Sequence, residues 1–282
     1  MSFPRTTVAG VSLPRMLIGT NWLAGWSHRT PAADNHIKAL HAEPESVLPV
    51  LLAYLEYGID AVMGPLGTMP AIDKAIKQAE DKTGKKIILI DTPIINVNDT
   101  TEARAEALAR IKQSKAIGST FCLPHHSSVE ELVDKNARSI RRIEDYTKMI
   151  RDNDMIPGLS AHMPELITYS DENEYDVQTY IQIFNCLGFL MQIEIETIAS
   201  IIHNAKKPVM TIKPFAAGRV TPYVGLNFNW ASLRQCDMIT CGAHLPGEVH
   251  ENVEISNAYF EGRFPELEKR ASPNMKQSAF GN

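Results

Sequence analysis

Apolar residues in this chain gather into short unbroken runs, separated by longer stretches whose apolar positions recur at helical spacing. Runs at 16–20, 60–63, 86–91, 120–123, 156–161, 179–184, 208–213 and 237–241 read as strands. A strand covered on both faces has no polar side to show, so it loses the alternation of a half-exposed strand. Helical stripes fill 45–57, 69–82, 99–115, 129–151, 192–204 and 246–260, with shorter helical pieces at 164–168 and 230–235. Gly58, Gly84 and Gly262 mark ends, and Asp99 with Glu102 three residues on reads as an N-terminal cap. Eight strand–helix repeats in about 250 residues predict an α/β fold of the (β/α)8 TIM-barrel type. Residues 1–14 supply an N-terminal β-hairpin turning at Gly10, and residues 264–282 read as a polar tail, disordered or packed on a neighbour. With no linker and no internal repeat, 1–282 reads as one domain. The stretch 21–43, with Trp22, Trp26, His28, His36 and His41, is too long for a plain connector and reads as a candidate lid.

Composition narrows the function classes. The chain has 282 residues, 44% hydrophobic and 22% charged, an ordinary globular balance. A formal net charge of -5 and a pI near 6.0 argue against nucleic acid as the partner. No apolar run reaches membrane-spanning length and the start shows no signal-peptide core, so no membrane partner is expected. Cys122, Cys186, Cys236 and Cys241 show no CxxC spacing and read as reduced thiols, which implies the cytoplasm. The expected partner is a small-molecule substrate, with a homo-oligomer left open.

Barrel enzymes place their chemistry where strands end at the C-terminal mouth. The residues there are Asn21, Asp91, His125, His126, His162, Asn185, Lys213 and His244, with Trp22 beside Asn21. His125 and His162 follow neighbouring strands, and Asp91 follows the strand on the other side of His125. These three are expected to converge, as acid–base groups or as ligands of a divalent ion such as Zn²⁺ or Mn²⁺. No HxH or HExxH spacing supports the metal; the alternative is hydrogen bonding among themselves and to an organic ligand. Lys213 reads first as an anion binder or an ion pair with Asp91, and second as a base or imine former.

Gly10-Val-Ser-Leu-Pro-Arg-Met-Leu-Ile-Gly-Thr20 resembles the opening of aldo-keto reductases, and the segments Thr120 to His125, Pro157 to His162, Gln182 to Asn185 and Cys241 to Asn252 resemble their later strands. The resemblance implies their barrel and an active-site histidine at His125. It departs from the family elsewhere: Met63, Thr68 and Thr92 stand where an Asp, a Tyr and a Lys are expected. Gly242 and Glu248 stand where the family holds a cofactor phosphate with a Lys and an Arg. Glu251 and Asn252 match the pair used on adenine, and Arg219 is a candidate phosphate counter-charge. NADP is therefore not the expected cofactor.

The leading expectation is a barrel enzyme of reductase-like ancestry acting on a small hydroxylated or carbonyl substrate by acid–base or metal-assisted chemistry, as a lyase, isomerase or hydrolase. The alternatives are a nicotinamide-dependent oxidoreductase using His125 as its acid, and a non-catalytic barrel that binds a ligand or partner.

Overall fold

The computed structural model describes residues 2–267. A hairpin of β1 (Arg5–Val8) and β2 (Val11–Pro14) leads into β3 (Met16–Gly19), β4 (Ala61–Gly64), β5 (Ile88–Asp91) and β6 (Phe121–Cys122). A small antiparallel pair, β7 (Val133–Asp134) and β8 (Ser139–Ile140), intervenes before β9 (Ile156–Pro157) and β10 (Leu159–Ala161). The sheet ends with β11 (Tyr180–Ile183), β12 (Val209–Ile212) and β13 (Met238–Gly242). All nine segments from β3 onward, apart from β7 and β8, pair in parallel in the order β10-β11-β12-β13-β3-β4-β5-β6-β9. Since β9 and β10 are the two halves of one strand split at Gly158, this row closes on itself as the expected eight-position (β/α)8 barrel.

Gly158 is where closure happens. Its N–H donates to the Cys122 carbonyl on one side, while the next residue, Leu159, donates to the Thr179 carbonyl on the other. A Cβ at 158 would stand 2.7 Å from both Leu123 Cγ and Thr179 O, so only glycine lets the strand change neighbours. Inside the barrel, Leu17, Met63, Ile90, Phe121, Leu123, Ile181, Met210 and Met238 form one apolar cluster. Val8 and Leu13 of the hairpin join it from below and close the N-terminal end. The polar cavity is thereby left to the C-terminal mouth.

Four local expectations change. The helix expected over 129–151 is instead a short helix (His126–Val129), a 3-10 turn (Glu130–Leu132), the β7–β8 pair and a second helix (Ile143–Asp152). Asp134 Oδ1 accepts from the N–H groups of Asn136 and Ala137, and this local capture competes with helix formation. The stretch 21–43 is not an irregular loop but two short helices, Asn21–Ala24 and Pro31–Leu40, the second capped by Thr30 with Pro31 in its first turn. Asp99 does not cap the helix Thr101–Ala116; Thr100 does, accepting from Ala103 N–H, and Asp99 pairs with Arg104 and Arg142. The helix placed at 230–235 starts earlier, at Pro222–Ser232. Of the expected tail, 264–267 are described, with Glu266 N–H donating to Glu254; residues 268–282 lie outside the described residues.

Gly158→Ala should destabilise the barrel by about 1–3 kcal/mol, the usual cost of overpacking against backbone. Urea unfolding that matches the parent protein would show that the split strand has room to relax.

Candidate functional site

A cavity of about 310 Å³ opens at the C-terminal mouth. Lys213, His125, His126 and His162 line it, with Asn21, Trp22, Trp26 and His28 of the 21–43 cover above. Each arrives by strand geometry. His125 stands just past β6, where it caps helix His126–Val129 and its Nδ1 accepts from Ser127 N–H at 3.3 Å, with Ser127 Oγ at 2.8 Å. A ring nitrogen that accepts from an N–H carries no proton, so Nε2 is the protonated position of the neutral imidazole. His126 opens that helix, and its ring stacks on His162 at a centroid distance of 3.6 Å while lying 4.2 Å from His125. Glu130 holds this group together: its Oε1 accepts from the backbone N–H of His162 and Met163 at 2.5 and 2.8 Å. Its Oε2 lies 3.6 Å from His126 Nδ1.

The electrostatics follow from crowding cationic groups in a half-buried space. Burial, followed by repulsion from His126 and Lys213, pushes His125 down to about 4 and His162 down to about 3. Both imidazoles are therefore neutral at pH 7. Burial raises the Glu130 carboxyl, but hydrogen bonds from His126 and from two backbone N–H groups outweigh it and hold it lower than usual. Lys213, on a backbone of φ 61, donates from Nζ to His28 Nε2 at 3.2 Å. A non-glycine residue in that left-handed region is strained, a condition that gathers at functional sites. No carboxylate lies within ion-pair distance of Lys213 among the described residues, and burial pushes its pKa down to about 8. Burial and Lys213 also lower His28.

Six of the residues expected at the mouth do line the cavity: Asn21, Trp22, His125, His126, His162 and Lys213. Asp91 does not. Strand alternation turns Ile90 into the barrel and Asp91 outward, into the layer beneath helix Thr101–Ala116. There its Oδ1 accepts from Leu66 N–H at 2.7 Å and its Oδ2 from Ser114 Oγ at 2.5 Å. Burial raises its pKa, and these bonds pull the other way. The set of Asp91, His125 and His162 is thus not assembled. Among the described residues no three His, Cys, Asp or Glu side chains converge as metal ligands. The ion pair expected between Lys213 and Asp91 is absent for the same reason.

Other expected contacts are committed elsewhere. Asn185 folds a turn, accepting from Leu187 and Phe189 N–H and donating to Phe189 O. Arg219 lies 4.2 Å over the Phe189 ring and donates to Ala216 O, outside the cavity lining. His244 stacks on Trp22 at 5.3 Å, with its Nδ1 3.2 Å from Glu248 but not aligned for a hydrogen bond. Glu251 and the buried Asn252 sit on helix Pro246–Glu261 and do not line the cavity. Sequence reasoning left out His28, Trp26, Ser160 and Glu130 as site residues. The aromatic and imidazole density of 21–43 signalled the first two; nothing local signalled Glu130, which acts through backbone 32 residues away.

No family model and no curated protein matches the chain. Solved structures do. A Pseudomonas aeruginosa protein described as a candidate aldo-keto reductase is similar at TM-score 0.63 and 11% identity, covering 91% of this chain and 95% of that one. An aldo-keto reductase from Klebsiella pneumoniae in complex with NADPH is similar at 0.60 and 14%, covering 91% and 90%. Aldose reductase from Giardia lamblia is similar at 0.53 and 11%, covering 94% and 95%. The fold is therefore an aldo-keto-reductase-like TIM barrel. No helix among the described residues is long and apolar enough to cross a membrane.

Asp91→Ala should cost roughly 1–3 kcal/mol for each donor it orphans, while leaving reactivity at Lys213 in place. Denaturant unfolding and chemical labelling of Lys213 on the same variant check both halves. A stable variant with an unreactive lysine would return Asp91 to the site.

Proposed function

We propose that the barrel mouth performs acid–base chemistry of lyase or isomerase type on a small carbonyl substrate held through Lys213. The observation that supports it is the half-buried Lys213 amine, bonded to His28 and with no carboxylate in ion-pair range among the described residues, beside neutral His125 and His162. Shifting a lysine from 10.5 to about 8 raises the free amine at pH 7 from about 0.03% to about 9%. The free amine attacks the carbonyl carbon; the adduct loses water and leaves an iminium on Nζ. Two electrons of an adjacent C–H or C–C bond then flow into the iminium. A neutral imidazole accepts the proton released from carbon or from the neighbouring hydroxyl; the enamine so formed takes a proton back at carbon to become the iminium again, and hydrolysis of that iminium releases the carbonyl product and restores the lysine.

A second reading, a nicotinamide-dependent oxidoreductase, draws on the likeness to a reductase solved with NADPH. The residues present fit the phosphate end of that dinucleotide poorly. Where the resemblance calls for a cation, Glu248 accepts from the N–H groups of His244 and Leu245 and fixes the start of the last helix. At Gly242, Trp22 fills the space: its Cδ1 stands 2.8 Å from where a Cβ would be. A carboxylate repels the phosphate that an arginine fork would bind. No step is assigned to the dinucleotide here.

Borohydride reduction in the presence of glyceraldehyde should add the reduced probe to Lys213 and to no residue in Lys213→Met, read by peptide mass spectrometry. Because the reactive form is the deprotonated amine, labelling should rise with pH and level off above about 8. His125, neutral above about 4, should not limit it. Labelling spread evenly over exposed lysines would overturn the reading.

NADPH should quench the tryptophan fluorescence only above micromolar concentrations. Glu248→Gln, which keeps the capping oxygen and removes the charge, should tighten binding in a salt-dependent way. Sub-micromolar binding by the unmodified protein would favour the oxidoreductase instead.

A further inference from the structure

A second cavity of about 230 Å³ adjoins the first and shares Trp26, Pro65 and His125 with it as a common wall. Its far side carries Arg110, Gln113 and Thr68. Arg110 and Gln113 rise from helix Thr101–Ala116, where Arg110 Nη1 donates to Gln113 Oε1 at 2.6 Å. Gln113 Nε2 in turn donates to Gly67 O at 2.9 Å, which pins the pair to the loop after β4. Among the described residues no carboxylate comes within 4.0 Å of the Arg110 guanidinium. The nearest acid in the cavity wall, Asp91, is spent on Leu66 N–H and Ser114 Oγ. Arg110 is thus a held, half-buried cation with most of its five donors free, facing an enclosed space.

Size points the same way. Small-molecule sites run from roughly 300 to 1,000 Å³. At about 230 Å³ the second cavity is too small to stand as a separate site, and at about 310 Å³ the first is only just large enough. Taken together on the two sides of His125, the volumes reach the ordinary range, with the Lys213 amine lining one cavity and the Arg110 guanidinium lining the other.

We infer that the second cavity is an anion subsite, in which Arg110 binds a terminal carboxylate or phosphate of an extended substrate whose reacting end lies in the first cavity. That the reacting end is a carbonyl rests on the function proposed above; the anion subsite does not. Guanidinium suits both oxyanions because its parallel N–H groups match their oxygen spacing, whereas an ammonium offers only a point charge. Gln113, by holding Arg110, is a positioning residue.

The test compares three aldehyde probes by calorimetry: succinic semialdehyde, glyceraldehyde 3-phosphate and the neutral butyraldehyde. The parent protein should bind at least one charged probe tenfold or more tighter than butyraldehyde. Which charged probe gains more identifies carboxylate or phosphate as the preferred terminus. Arg110→Gln should erase that preference with butyraldehyde affinity unchanged, and Arg110→Lys should retain only part of it. Thermal unfolding checks that both variants remain folded, and Arg110→Lys carries the test if Arg110→Gln is not. Lys213→Met should weaken all three probes and leave the charged-to-neutral ratio intact. If Lys213→Met changes no affinity while Arg110→Gln still erases the preference, the carbonyl chemistry falls and the subsite stands. A parent protein that binds all probes equally, or a preference that survives Arg110→Gln, overturns the subsite.

Discussion

A closed barrel of parallel strands gives each successive side chain one of two environments, the interior or the layer beneath the helices. Everything about this site depends on that alternation. In β5, Ile90 takes the inside position beside Phe121 and Leu123, so Asp91 must take the outside one. In β6 the same rule puts Cys122 outward, against Ile111, Ile150 and Met155. Side chains beyond the last ladder bond escape the rule and lean over the opening, which is how His125, His162 and Lys213 come to share a cavity. The rule holds only if the ring closes, and closure rests on the missing side chain of Gly158.

Charge then decides what the cavity can do. Four imidazoles and one lysine surround it, and the carboxylate near them, Glu130, spends most of its capacity on backbone N–H groups. Such a site cannot hold all its groups protonated, because burial strips water from each cation and, for His125 and His162, the neighbouring His126 and Lys213 add to that cost. The protons leave the most enclosed imidazoles first, and the lysine is left easier to deprotonate than in water. Neutral bases next to an accessible amine are what carbonyl chemistry requires at neutral pH. The Asp91 carboxylate would have reversed this balance had it faced the mouth; outside, it ties β5 to the 65–68 turn and to helix Thr101–Ala116 instead.

The barrel is shared with aldo-keto reductases, but fold and chemistry are separable. His125, where the sequence resemblance implies an active-site histidine, lines the cavity. Met63 and Thr92, where that resemblance calls for an Asp and a Lys, line the same cavity, and Lys213 brings an amine from the opposite side. The cover formed by 21–43 adds Trp22 against Gly242 and His28 against Lys213.

The sequence alone determined the barrel, because continuous apolar runs and helical stripes are set by which faces must be buried, and that information is local. It also determined the residues that follow each strand, hence Asn21, Trp22, His125, His126, His162 and Lys213 as mouth residues. Only the tertiary structure decided the rest. Whether Asp91 turns in or out depends on a register one residue wide, which an apolar run does not reveal. Whether 129–151 stays helical depended on Asp134 capturing backbone N–H groups, and the helical stripe there is silent on that competition. That Lys213 lacks a carboxylate partner among the described residues, that His28 reaches it across 185 residues, and that Arg110 lines the same cavity as His125 are facts of distance in space. Spacing along the chain carries no record of them, because desolvation and charge pairing are set by neighbours that only folding brings together.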